Sequence, residues 1–166
     1  MAKSVNRPLL INLIIALPVL FFQFNGFIDS DKLNIFPLFP LGFIVVISMF
    51  CSELESFFWG LGIGILVDCS SSYRFSLNTI LYPVIALAVS LLVHYLFNNN
   101  LRSCIVLSLF WAIFLSLIRY IMFYYSSGLK NLFRGFLNNM IPSALLTTVF
   151  TVILYFIEKK IFKASR

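Results

Sequence analysis

Long apolar runs, broken by short polar turns, set the pattern of this chain. Six runs follow one another: Pro8–Ile28, Leu33–Phe50, Ser56–Cys69, Ser76–Phe97, Leu101–Tyr125 and Asn138–Ile157. Each reads as a helix crossing a bilayer, since a span needs about 20 mostly apolar residues at about 1.5 Å per residue. The third run, with 14 residues, covers only about 21 Å. It must start earlier, near Leu54, be shielded by neighbouring helices, or continue as irregular chain packed within protein. The connections DSDK, CSELE, SSSYRF and NNN are short enough to require antiparallel neighbours and leave no room for linkers. The expected fold is all-α and integral to the membrane, with six transmembrane helices and 1–166 as a single polytopic domain.

One stretch between the fifth and sixth runs has a different rhythm. In GLKNLFRGFL, Leu129, Leu132, Phe133, Phe136 and Leu137 recur at i, i+3, i+4, i+7 and i+8, with Lys130 and Arg134 on the other face. That spacing predicts a short helix lying flat in the outer interface, an ordinary loop being the alternative.

Composition supports the membrane reading. The chain is 61% hydrophobic and 11% charged, against about 25% charged in a soluble domain, and its mean hydropathy is +1.00. This excludes a separate aqueous domain. A net charge of +6 could suit nucleic acid, but the placement of the cations argues for topology in a lipid bilayer and against a nucleic-acid partner. With six spans, one side carries Lys3, Arg7, Arg102, Lys159, Lys160, Lys163 and Arg166, and the other Lys32, Arg74, Lys130 and Arg134. Seven against four places both termini in the cytoplasm by the excess of basic residues on the inner face. Lys3 and Arg7 ahead of the first run resemble a signal peptide. No small-x-small cleavage pair follows, and the run leaves through Gln23, Phe24, Asn25 and Gly26, so it reads as a retained helix.

Candidate chemistry is sparse. Gly60, Gly64 and Asp68 are spaced by four in SFFWGLGIGILVDC, so they share a stripe on a helix. The glycines allow a neighbouring helix to approach closely. Asp68 is costly in hydrocarbon and is a functional candidate on that ground. Arg119 lies 17 residues beyond Arg102, or about 26 Å along the fifth helix, at a depth close to that of Asp68. The two are candidates for an intramembrane ion pair, with Arg74 as a competing partner; the alternative is that Arg119 snorkels to headgroups while Asp68 reaches the interface. A carboxylate at a helix C-terminus opposes the helix dipole, so Asp68 is expected to have some partner.

The enzyme classes fare poorly. An intramembrane aspartyl hydrolase needs two carboxylates sharing a proton, and only Asp68 reads as lying within a span. The single histidine, His94, suits the dipole at the end of its helix better than a metal. Cys51, Cys69 and Cys104 have no metal-ligand spacing, and no phosphate-binding loop is present. No catalytic residue, metal or cofactor is expected.

The run from Phe36 to Val93 resembles the rod shape-determining protein MreD family. The resemblance lies in Pro37 and Pro40 entering the second helix, and in Gly60, Gly64, Leu66 and Asp68 in a short Gly-rich third helix. It continues through the polar turn SSSYRFSLNT, the apolar fourth helix Leu81 to Val93, and Asn139 with Pro142 opening the last helix. Ser72 and Ser76 stand in the turn where that family commonly has glycine. The resemblance implies a fold similar to the substrate-binding subunits of energy-coupling-factor vitamin transporters. It also implies a non-enzymatic role as a membrane scaffold of the bacterial cell-elongation complex for peptidoglycan synthesis. The implied partners are an MreC-like single-span protein and, indirectly, MreB filaments, RodA and a class B penicillin-binding protein. A vitamin-binding transporter subunit is the alternative, with Tyr73, Arg74 and Asn78 as thin candidates for a pocket. Expected partner surfaces are the second span, with Pro37, Pro40, Gly42 and Ser48, and the interfacial helix around Phe133 and Phe136.

Overall fold

The structure, a computed structural model, describes residues 9–24, 38–70, 77–97, 99–127 and 132–164. Six helices account for almost all of them: α1 (Leu9–Phe24), α2 (Phe39–Phe50), α3 (Glu53–Ser70), α4 (Leu77–Tyr95), α5 (Leu101–Ser127) and α6 (Leu132–Ala164). No strand occurs among the described residues. Three stretches are long and apolar enough to cross a membrane: Leu77–Tyr95, Leu101–Arg119 and Ile141–Ile161. That is consistent with a membrane protein.

The shortest helix is the core. α2 has 12 residues, about 18 Å, and every residue from Pro40 to Met49 is buried. It packs against each of the other five helices. A helix apolar on all sides has no solvated face and belongs inside. Pro40 sits in its first turn, where a missing N–H costs nothing. The backbone N–H of Leu38 donates to Thr147 Oγ1 of α6, at 3.0 Å, so a side chain supplies an acceptor that the helix start lacks.

Contacts fix the directions of the helices. Leu38 meets Thr147, Phe39 meets Phe150 and Phe50 meets Tyr155, so α2 and α6 run parallel. Gly60 faces Tyr82 and Pro83 while Gly64 faces Asn78 and Thr79, so α3 and α4 run antiparallel. Asn12 Nδ2 lies 4.0 Å from Cys51 Sγ, Asn99 Nδ2 donates to the Met49 carbonyl at 2.9 Å, and Tyr155 Oη donates to the Asn99 carbonyl at 3.3 Å. The early part of α1, the end of α2, the α4–α5 connection and the late part of α6 therefore gather at one end of the bundle. Asp68, Asn78, Arg119, Leu38 and Thr147 gather at the other.

One boundary follows an expected alternative, the earlier start of the third run, and one differs from expectation. α3 begins at Glu53 and has 18 residues, about 27 Å, which gives the short third run nearly the length of a span. Its start is defined by Glu55, whose Oε2 accepts from the Ser52 N–H at 3.3 Å, one half of a capping box. Glu53 and Glu55 in the first turn also suit the helix dipole. At the other end of the chain no separate interfacial helix forms from Leu132 onward. That stretch runs straight into α6, a helix of 33 residues with Pro142 inside. Gly135 and the Asn138–Asn139 pair lower helix propensity by about 1 kcal/mol or less each, too little to force a break. Residues 128–131 lie outside the described residues.

Candidate functional site

The α3–α4 seam is the most extensive helix pairing among the described residues, and glycine lets the two helices approach closely there. A Cβ on Gly60 would stand 2.8 Å from the Tyr82 carbonyl oxygen and 2.9 Å from Pro83 Cα. One turn on, a Cβ on Gly64 would stand 2.7 Å from the Asn78 carbonyl oxygen and 2.8 Å from Thr79 Cα. The obstacles are backbone, so no side chain can swing aside. Gly62, between them in sequence, has nothing within 4 Å and lies on the outward face with Phe58 and Leu66, which are exposed.

One further turn along this stripe, α3 places Asp68 against the N-terminus of α4. Its Oδ1 accepts from the Asn78 backbone N–H at 3.3 Å and from Asn78 Nδ2 at 2.6 Å. Its Oδ2 accepts from the Thr79 backbone N–H and from Thr79 Oγ1, both at 2.7 Å. Asn78 and Thr79 are the second and third residues of α4, whose N–H groups have no partner within their own helix. Asp68 thus caps a different helix from the one it ends. Its charge opposes the dipole of α3 and complements that of α4.

Asn78 carries the connection onward. Its side-chain Oδ1 accepts from Arg119 Nη2 at 2.7 Å. A longer contact of 3.5 Å joins the same nitrogen to Tyr82 Oη, on a ring that is fully buried. Asp68 and Arg119 make no direct ion pair with each other among the described residues; Asn78 bridges them, its amide donating to one and its carbonyl accepting from the other. Arg119 reaches this position because it lies on the inward line of α5, above the buried Ser108, Ala112 and Leu115. Arg74, the competing partner, lies outside the described residues.

The second span does not offer the expected partner surface. Pro40, Gly42 and Ser48 are all buried inside the chain. A Cβ on Gly42 would stand 2.5 Å from Thr151 Oγ1, so this glycine serves α2–α6 packing. Ser48 Oγ donates to the Ile44 carbonyl one turn back at 2.7 Å. The correction has a physical reason: an all-apolar helix can face lipid, partner or core, and composition does not choose among them. Pro37 lies outside the described residues. Phe133 and Phe136 fall on the first turns of α6, and their side chains lie outside those described.

Two features of the site are hard to see in the sequence. Asn78 and Thr79, which hold Asp68, read there only as part of a polar turn. An Asn-Thr pair opening an apolar helix, directly after a helix ending in Asp, is the signal that points to them. Glu158, 1% exposed, stands just past Ile157, where the last apolar run ends. Its spacing from Thr151, Leu154 and Tyr155, all buried, places it on the inner stripe of α6.

Among the described residues no group of three or more His, Cys, Asp or Glu side chains could hold a metal ion. No protein-family model, curated protein or solved structure matches the chain.

Proposed function

We propose that this protein is a non-enzymatic membrane scaffold of the bacterial cell-elongation complex, related to the MreD family. The observation that carries the reading is the use made of Asp68. The carboxylate that stands out in the apolar pattern has both oxygens committed to the N-terminus of α4, and the glycines of the same motif fit α3 to α4. Pro40, Gly60, Gly64 and Asp68, four of the residues that bear the family resemblance, help to build the bundle, which favours a packing role for the motif over a hydrolytic one. On this reading the chain crosses the bacterial cytoplasmic membrane six times with both termini inside. α2 is too short to span alone, and the helices around it shield its ends. The architecture would be similar to that of energy-coupling-factor substrate-binding subunits.

The function follows as binding of an MreC-like single-span protein through its transmembrane helix, with MreB filaments, RodA and a class B penicillin-binding protein as indirect partners. Helices associate in lipid by close packing and a few polar contacts, and the described residues are almost all helix. Co-expression with an MreC-like protein should yield a complex that survives purification in mild detergent. Failure to co-purify, together with nanomolar binding of a vitamin by the isolated protein, would overturn this reading in favour of a transporter subunit.

A further inference from the structure

Arg119 has donors to spare. Its Nη2 is engaged by Asn78 and Tyr82, while no described residue takes a bond from Nε or Nη1. The side chain is half-buried, so these donors stand where hydration is incomplete and an unpaired charge is costly. The depth is informative. Arg119 closes the 19-residue apolar stretch that begins at Leu101, a length of about 28 Å. That is close to the thickness of the hydrocarbon layer, about 30 Å. With Leu101 at one boundary, the guanidinium stands at the phosphate level of the opposite leaflet.

We propose that Arg119 is a lipid-phosphate site: Asn78, itself held by Asp68, fixes Nη2 of the guanidinium, and the donors left on Nη1 and Nε take up the phosphate of an anionic phospholipid headgroup. The guanidinium spreads five N–H donors over three nitrogens in one plane, so Nη2 can hold Asn78 while Nη1 or Nε donates to a phosphate oxygen; the single ammonium of lysine cannot occupy both places. Anchoring one nitrogen on Asn78 removes much of the rotamer freedom that binding would otherwise have to freeze. The proposal is independent of the scaffold reading and concerns a lipid, not a protein partner.

The test is native mass spectrometry of the full chain released from micelles containing dioleoylphosphatidylglycerol and dioleoylphosphatidylcholine. The wild type should retain phosphatidylglycerol preferentially. Arg119→Gln should weaken that retention about tenfold, and Arg119→Lys, which keeps the charge but cannot hold Asn78 and the phosphate from separate nitrogens, should weaken it several-fold. Arg102→Gln, at the other end of α5, should leave it unchanged. If Arg119→Gln does not fold, Arg119→Lys decides alone, and wild-type retention in that variant overturns the proposal. An equal loss with Arg102→Gln also overturns it, because attraction would then be diffuse. A thermal shift produced as strongly by inorganic phosphate in lipid-free detergent would overturn the lipid assignment in favour of a soluble phosphate.

Discussion

Gly60 and Gly64 meet backbone, and Gly62 meets open space, so three alanine substitutions on one helix should give two outcomes. Gly60→Ala and Gly64→Ala place a methyl group against main chain of α4 and should destabilise by about 1–3 kcal/mol each. Gly62→Ala meets nothing and removes backbone freedom from the unfolded chain, so it should be neutral or stabilising by up to about 1 kcal/mol. Thermal unfolding in detergent separates the cases; equal losses at all three would mean that the seam does not depend on close approach. The Asp68–Asn78–Arg119 relay makes a second residue-scale prediction. Asp68→Ala strands two helix-end N–H groups and two side-chain donors, at a cost of about 1–3 kcal/mol for each donor that water cannot reach. The coupling between Asp68 and Arg119 runs through Asn78. A double-mutant cycle on Asp68→Asn and Arg119→Gln should give a coupling of about 0.5–3 kcal/mol in the native background. Repeated on Asn78→Ala, the same cycle should give almost none, whereas an undiminished coupling would show a direct pair. Spacing by four makes the glycine stripe legible in the sequence. The bridging role of Asn78 is not legible there, because it depends on which residues of α4 lie opposite Asp68, and that register is set by packing.

At the scale of the element, α2 and α3 show two ways in which apolar patterning falls short. Both helices are plain in the sequence, but α2 reads as a surface and is the core. Every position from Leu41 to Ile47 is apolar or glycine, so no periodicity marks an inner face. What selects burial is size: Gly42 lets α6 approach, and α6 answers with Ser143, Ala144, Thr147, Thr148 and Thr151, a buried stripe of small residues. The hydroxyls do not strand a donor there, since Thr147, Thr148 and Thr151 donate to the carbonyls of Ser143, Ala144 and Thr147, at 2.8, 2.8 and 2.6 Å. Gly42→Ala should therefore destabilise by driving Cβ into Thr151 Oγ1, by about 1–3 kcal/mol. Adding Thr151→Ala removes that oxygen and should restore part of the loss. A double variant no better than Gly42→Ala alone would show that the Thr151 hydroxyl is not what limits the approach, since the next contacts, Thr151 Cβ at 3.5 Å and the Thr147 carbonyl oxygen at 3.6 Å, are ordinary ones. For α3 the apolar run understates the helix, because Glu53 and Glu55 are polar yet helical; the Ser52–Glu55 cap, not hydrophobicity, defines its first turn.

At the scale of the bundle, the charged and amide side chains among the described residues collect at its two ends, and the polar groups between include hydroxyls such as Ser108, Thr148 and Thr151, of which Thr148 and Thr151 bond to carbonyls of their own helix. One end holds Asp68, Asn78, Thr79 and Arg119; the other holds Asn12, Asn99, Tyr155 and buried Glu158. Charged and amide groups at two ends, with self-satisfied hydroxyls between, suit a chain folded across a bilayer, and the ends define the sides. The surplus of Lys and Arg goes with the Asn12–Asn99–Tyr155 end, since Arg102 opens α5 there and Lys159 and Lys160 follow Tyr155. By the excess of basic residues on the inner face, that end is expected in the cytoplasm and the Asp68 end outside. The native cysteines can test it. Cys69 is exposed beside Asp68, Cys51 is half-buried at the opposite end, and Cys104 is buried. With Cys51 and Cys104 replaced by serine, Cys69 should react with a membrane-impermeant maleimide added to spheroplasts. With Cys69 and Cys104 replaced, Cys51 should react only after the membrane is opened. A reporter fused after Arg166 should be active only in its cytoplasmic form, and one placed in the Asp29–Lys32 connection only in its exported form. Labelling of Cys51 but not Cys69 in sealed spheroplasts, with an exported C-terminal reporter, would invert the bundle and move the Arg119 edge to the inner leaflet.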